Sequence, residues 1–250
     1  MDTLQIIEGV FLGGFIGLVL ATVGAGGAIL AVPGLVAFFG FSTTVATTSS
    51  LVVVGAAALT GAVAKFRAGA ADLKLGITFS LIGVLGTFLG TYLVALVPEP
   101  VVLSLFAFLM MISAWTMWNK KPVVQKDSQK LNKVLVLVVA SGVGAITGLL
   151  GIGGGFLIVP ALVITLGINA NLAVGTSLVA ITTNTVLALG FRYSYWHEIP
   201  WQQVSLVAAA AVLVSAIVAP LAHKLPEVVV RRSFALLLVF VTGYVLSLIF

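Results

Sequence analysis

Long apolar stretches, each about as long as a membrane-spanning helix, make up most of this chain. Ten can be drawn, at 4–22, 25–41, 43–64, 75–97 and 100–118, and again at 134–150, 152–168, 171–191, 201–222 and 228–250. Crossing the hydrocarbon core of a bilayer takes roughly 20 predominantly apolar residues. Because lipid cannot hydrogen bond a backbone, each crossing segment must be helical. The pattern therefore predicts an all-α membrane protein embedded in a lipid bilayer.

The ten segments form two copies of one unit of five, offset by 127 residues. Thirteen of the twenty-nine residues at 24–52 are identical to their counterparts at 151–179. Chance similarity between apolar segments would match leucine and valine, but it would not also align Gly24, Pro33 and Gly40 with identical residues. Two homologous halves are therefore predicted, a first transmembrane repeat at 1–118 and a second at 134–250. Residues 119–133, with five lysines, form a polar linker between them.

The second segment of each half is short and contains a proline, Pro33 or Pro160, so it could either cross the membrane or re-enter. If both cross, there are ten short spans, the halves are inverted, and eleven cationic residues share one face with only Arg192 opposite. If both re-enter as hairpins, eight spans and parallel halves divide the cations nine to three. Positive residues concentrate on the cytoplasmic side of membrane proteins. We therefore expect ten spans in inverted repeats, with a cytoplasmic linker and outward termini, and keep the eight-span arrangement as the alternative.

Composition narrows the class of function. Of the 250 residues, 61% are hydrophobic and 8% are charged, whereas soluble domains carry about 25% charged residues. The cations, among them Lys65 and Arg192, cluster beside apolar segments, which indicates membrane orientation rather than nucleic-acid binding. The chain has no cysteine, and no set of His, Asp and Glu has the spacing of a metal site. We expect no metal, no cofactor and no catalytic residues, and a transporter rather than a structural or assembly subunit or an intramembrane enzyme.

The repeated glycine-rich turns are the first candidate site. They contain Gly24, Gly26 and Gly27 in the first half and Gly151, Gly153, Gly154 and Gly155 in the second. Glycine adopts positive φ and allows close approach of the backbone, and a helix that starts at such a turn carries partial positive charge there. Together these features predict a cradle of N–H groups for an anion. The alternative is that the glycines only let helices cross closely.

Polar residues that open the third segment of each half are the second candidate. They are Thr48, Ser49 and Ser50 in the first half and Gly175, Thr176 and Ser177 in the second, with Asn184 further along. Hydroxyls can donate to an oxyanion, but within helices they often bond the carbonyl one turn back. Asn184 could likewise contact a ligand or hydrogen bond a neighbouring helix. We favour a substrate role for Ser50 and Ser177, because the duplication pairs them.

These residues resemble the TauE/SafE sulfite exporter family. The likeness rests on Gly24-Ala25-Gly26-Gly27 with Pro33, on its counterpart in the second half, on Gly175-Thr176-Ser177-Leu178 and on Leu225-Pro226-Glu227. The first half departs from the pattern, because Thr48-Ser49-Ser50 stands where the second half has Gly175-Thr176-Ser177. The resemblance implies a prokaryotic inner-membrane transporter that exports sulfite or small organosulfonates by alternating access of its two halves. The expected partners are a small anionic substrate and the lipid bilayer, not nucleic acid, and a homodimer is left open.

Overall fold

The computed structural model describes residues 2–24, 26–94, 99–119, 132–150, 155–222 and 224–246, and most of the predicted linker lies outside these ranges. Every regular element within them is helical, which confirms the all-α prediction. The α-helices of the described residues are α1 (Thr3–Val23), α2 (Gly26–Phe39), α3 (Thr43–Arg67), α4 (Leu73–Val94), α5 (Glu99–Asn119), α6 (Lys133–Leu150), α7 (Gly155–Pro160), α8 (Ala170–Phe191), α9 (Trp201–Ala222) and α10 (Glu227–Leu246). Each predicted apolar segment overlaps one of them.

Five of the described helical segments are long and apolar enough to cross a membrane. They are α1, α3, α8, α9 and the part of α4 at Leu73–Gly90. A multi-pass membrane protein is thus supported by helix length and hydropathy together. The ten-span arrangement itself stays a prediction.

Left-handed glycines end the first helices of the chain. The N–H of Gly24, which has a φ of 81°, donates to the carbonyl oxygen of Leu20 at 2.9 Å and closes α1. Gly40 and Gly167, which are equivalent in the repeat, have φ values of 65° and 68°. A left-handed backbone strains any residue that carries a β-carbon. The duplication is therefore visible in backbone geometry as well as in sequence.

The two short segments remain helical through their prolines. Pro33 lies inside α2, which runs back along α1 so that Gly27 packs against Leu20 and Gly34 packs against Leu12. Pro160 ends α7, and the chain continues directly as a π-helical turn at Ala161–Thr165. Proline removes one backbone donor from a helix, and here that loss is accommodated without a reversal of the chain.

Glycines let two pairs of helices pack backbone to backbone. In the α1–α9 pair, β-carbons at Gly13 and Gly17 would collide with the carbonyl oxygens of Val207 and Ala211. In the α4–α6 pair, a β-carbon at Gly86 would collide with the backbone of α6. The first helix of each half therefore packs against the fourth helix of the other half.

The centre of the molecule is an antiparallel pair formed by α3 and α8, which are equivalent helices of the repeat. A β-carbon at Gly55 would lie 2.8 Å from Oγ1 of Thr185. Further along α3, a β-carbon at Gly61 would lie 3.0 Å from Cδ1 of Leu178, which comes earlier in α8. The start of each helix is therefore level with the end of the other.

The fifth helices of the two halves also run antiparallel. Arg231, near the start of α10, donates from Nε and Nη2 to the carbonyl oxygen of Met117 at 3.0 and 2.9 Å. Met117 lies near the end of α5, and the two helices pack against each other. The guanidinium thus ties the equivalent helices together at one end.

Candidate functional site

The glycine turn of the first half meets a hydroxyl of the second half. Oγ of Ser177, on α8, donates to the carbonyl oxygen of Gly24 at 3.0 Å, and the Ser177 side chain is completely buried. A β-carbon at Gly24 would lie 2.8 Å from that Oγ and 3.0 Å from the Cα of Val174. Although Thr48 and Ser50 follow Gly24 more closely in the chain, the hydroxyl that reaches it belongs to the other half.

Among the candidate hydroxyls, those of Thr48, Ser50 and Ser177 donate to backbone carbonyl oxygens. The single proton of Ser177 Oγ is shared between Gly24 and the carbonyl oxygen of Val174, which lies 2.8 Å away. Ser50 donates to Thr47 at 2.8 Å, as expected for a serine that bonds its own helix. Ser177 can therefore donate to a ligand only after it releases these carbonyl oxygens.

Thr176 and Ser49, which are equivalent in the repeat, have different surroundings. Oγ1 of Thr176 accepts a hydrogen bond from the backbone N–H of Asp72 at 3.1 Å, which ties α8 to the loop before α4. Ser49 is completely buried, and within the described residues its Oγ has no hydrogen-bond partner. The two halves are thus unequal at this position.

Ser50 and Ser177 do not converge on one point. Ser50 lies near the start of α3, whereas Ser177 adjoins Leu178, which packs against Gly61 eleven residues further along α3. At a rise of 1.5 Å per residue, the two serines are separated by roughly 16 Å along the helix pair. The predicted residues therefore fall into two candidate half-sites, one at each end of the α3–α8 pair.

Three other candidates have packing roles in this conformation. Gly27 lies against Leu20, and a β-carbon at Gly175 would collide with the carbonyl oxygen of Ala70. Asn184 accepts a hydrogen bond from Oγ of Ser80, on α4, which is the interhelical role weighed from the sequence. Gly26 and Gly155 begin α2 and α7. Gly151, Gly153 and Gly154 lie outside the described residues.

An open cavity of about 340 Å³ lies at the start of α3. It is lined by Thr43, Thr44, Thr47, Arg192 and Tyr195. Nη1 of Arg192 donates to Oγ1 of Thr48 at 3.4 Å beside it. Hydroxyls and a guanidinium are good donors for an oxyanion, and these lining residues include no carboxylate. Sequence reasoning missed this site because the cavity joins the start of α3 to the loop after α8.

Sequence reasoning also missed Lys65 as a candidate site residue. It lies in the last turn of α3, and its side chain is completely buried instead of facing water as a residue that only sets orientation would. Nζ has no hydrogen-bond partner among the described residues. The available signal was the repeat, because Lys65 and Arg192 are equivalent at the offset of 127 residues.

Known proteins that resemble this chain are described as membrane transporters. The family model of the sulfite exporter TauE/SafE matches residues 9–245. A "Probable membrane transporter protein" of Xylella fastidiosa (strain 9a5c) is 34% identical over 176 residues, which cover 68% of this chain and 67% of that protein. The "Probable membrane transporter protein YdhB" of Bacillus subtilis (strain 168) is 28% identical over 190 residues, 73% of this chain and 76% of that protein. This chain therefore belongs to the TauE/SafE family and is a membrane transporter.

Proposed function

We propose that this chain exports a small sulfur oxyanion, sulfite or an organosulfonate, across the inner membrane of a prokaryotic cell. The carrying observation is the cavity at the start of α3, which offers the guanidinium of Arg192 and the hydroxyls of Thr43, Thr44 and Tyr195. The hydroxyl of Thr47, which also lines it, donates to the carbonyl oxygen of Thr43 at 2.6 Å. Such a lining complements an anion with several acceptor oxygens. It lacks a carboxylate to neutralise a cation. The family description supports the sulfur class of substrate.

The ten-span inverted arrangement is part of the proposal. Inverted halves are related by an axis in the membrane plane, so that equivalent helices run in opposite directions. Both α3 with α8 and α5 with α10 have that relation. Parallel halves, which the eight-span alternative requires, would make these pairs parallel. The halves at 1–118 and 134–250 then lie on either side of a cytoplasmic linker at 119–133, and the Arg192 cavity faces outward.

The two half-sites suggest how the halves alternate. At the inner end, Ser177 donates to the carbonyl oxygen of Gly24 across the boundary between the halves. At the outer end, the Arg192 cavity is open between α3 and the loop after α8. We propose that separation of Gly24 from Ser177 opens the inner end and lets the serine hydroxyl rotate from the carbonyl oxygen of Val174 to the anion. Reformation of that contact closes the inner end behind the substrate.

Export needs no coupled ion in this scheme. Moving one negative charge out of an inside-negative cell is favoured by about 2.3 kcal/mol per 100 mV. A dianion gains about twice as much. The membrane potential can therefore drive export through a chain whose candidate sites contain no Asp or Glu side chain.

Counterflow of labelled sulfite in proteoliposomes tests the proposal. Unlabelled sulfite, sulfate and a small organosulfonate are expected to compete with the label, because each presents several oxygens to the same donors. Choline and urea, of similar size but without negative charge, should not compete. Competition by choline and by none of the anions would refute the anion assignment. Correctly inserted protein without any flux would favour a structural or assembly role.

A further inference from the structure

Lys65 carries a charge that has no partner among the described residues. Its side chain is completely buried in the last turn of α3, whereas Arg67, two residues later, is exposed. A lysine near the end of a span ordinarily extends its ammonium into headgroup water. Lys65 does not, and within the described part of the chain its Nζ neither hydrogen bonds a helix carbonyl nor joins an ion pair. Membrane orientation and helix capping therefore both fail to explain it.

The repeat shows why Lys65 lacks the partner that its equivalent has. Its equivalent, Arg192, donates to Oγ1 of Thr48. At the same offset the residue equivalent to Thr48 is Gly175, which has no side chain to offer. A β-carbon at Gly175 would collide with the carbonyl oxygen of Ala70, so the second half cannot carry threonine there without a rearrangement. The packing that requires glycine thus leaves the ammonium unpaired.

Lys65 lies at the same end of the molecule as the contact between the halves. Gly61 packs against Leu178, and Lys65 comes one helical turn later in α3. Because α3 and α8 are antiparallel, Lys65 is level with the first turns of α8. Gly24 packs against Val174 in those turns. The buried ammonium and the glycine turn therefore share the inner end of the α3–α8 pair.

We propose that Lys65 binds the transported anion at this inner end, as the counterpart of Arg192 at the outer end. The inference rests on the proposed function and extends it to a second binding position. Its ligand is a compact oxyanion of the sulfite class, which accepts from the ammonium and from the Ser177 hydroxyl once the Gly24–Ser177 contact opens. Lys65 lies seventeen positions after Thr48, so the two positions are separated by roughly 26 Å along α3. Each cation therefore serves the substrate when its own end is open.

Three substitutions and one matched control test the proposal. Lys65→Met keeps a side chain of similar length without charge, Lys65→Gln keeps polarity, and Lys65→Arg keeps the charge. Arg67→Gln removes an exposed cation from the same turn of α3. The measurements are the shift in melting temperature on addition of sodium sulfite to purified protein, and the KM and kcat of sulfite counterflow in proteoliposomes.

Lys65→Met and Lys65→Gln are expected to lose the sulfite-induced shift and to raise KM by at least about tenfold, which corresponds to about 1.4 kcal/mol. Lys65→Arg should retain part of the response, and Arg67→Gln should behave as wild type. Without ligand, Lys65→Met should melt no lower than wild type, because removing an unpaired buried charge relieves its desolvation. A lysine with a purely structural role would instead give a less stable methionine variant with an unchanged KM.

The outcomes separate this inference from the proposed function. Wild-type KM and a wild-type sulfite shift in Lys65→Met would overturn the role of Lys65 and leave sulfite export intact. A Lys65-dependent shift with phosphate but not with sulfite would support the binding position and refute the sulfur substrate. A wild-type protein that responds to neither anion would overturn both.

Discussion

Replacement of Gly24 by alanine tests the contact between the two halves. The φ of 81° at Gly24 places the new residue in the left-handed region, which costs about 1–2 kcal/mol for a residue with a β-carbon. That β-carbon would also lie 2.8 Å from Oγ of Ser177 and 2.9 Å from Cγ1 of Val174. Overpacking of this kind costs about 1–3 kcal/mol. The expected total is therefore about 2–5 kcal/mol of stability.

Gly40→Ala is the matched control. Gly40 has a φ of 65°, but a β-carbon there would meet no atom within 4 Å. Only the backbone strain applies, so that this variant should lose about 1–2 kcal/mol. For a chain of this length each kcal/mol lowers the melting temperature by about 2–4 °C. Gly40→Ala should therefore melt about 2–8 °C below wild type and Gly24→Ala about 4–20 °C below it.

The assay is thermal unfolding of detergent-purified protein, followed by tryptophan fluorescence, together with counterflow in proteoliposomes. Combining Gly24→Ala with Ser177→Ala should cost less than the sum of the two single changes, because the serine oxygen is one of the colliding atoms. Flux should fall more in Gly24→Ala than in Gly40→Ala, since only Gly24 lies at the boundary between the halves. Equal melting temperatures for the two glycine variants, or strict additivity with Ser177→Ala, would refute the reasoning.

Two further predictions address topology and helix packing. In the ten-span arrangement, an impermeant thiol reagent applied to intact cells should label Asp2→Cys but not Gln125→Cys in this cysteine-free chain. Labelling of both variants, or protection of Asp2→Cys, would contradict the ten-span arrangement. Gly17→Ala should lower the melting temperature by several degrees, because its β-carbon collides with α9. Gly14→Ala should match wild type, since the nearest neighbour of its β-carbon would be a methyl group at 3.6 Å. A larger loss of stability in Gly14→Ala would show that the α1–α9 packing is described wrongly.

The helices could be predicted from the sequence because a bilayer imposes both their length and their conformation. Each apolar segment of about 20 residues had to form a helix to satisfy its backbone. The left-handed turn at Gly24 followed from glycine's tolerance of positive φ, and it is present. The continuity of α2 through Pro33 could not be foreseen, because loss of one backbone donor is compatible with a kink, a break or an intact helix.

The site was harder to predict because its contacts join distant parts of the chain. Ser177 and Gly24 are 153 residues apart, and their hydrogen bond depends on how α1 packs against α8. For Asn184 the sequence left a ligand contact and an interhelical hydrogen bond open, and its partner Ser80 could not be named. Lys65 was assigned to orientation because a sequence records charge but not exposure. Its equivalence to Arg192 was the signal that could have corrected the assignment.

The packing of the first helix of each half against the fourth helix of the other half has a consequence for biosynthesis. The glycine face of α1 rests on α9, the next-to-last helix to leave the ribosome, and the glycine face of α4 rests on α6. While the second half is being synthesised, the partners of the glycine faces of α1 and α4 do not yet exist, so these faces contact lipid. Each half therefore depends on the other to cover a glycine face, even though the two halves repeat one sequence unit. We expect a chain that stops before α9 to leave the glycine face of α1 without its partner.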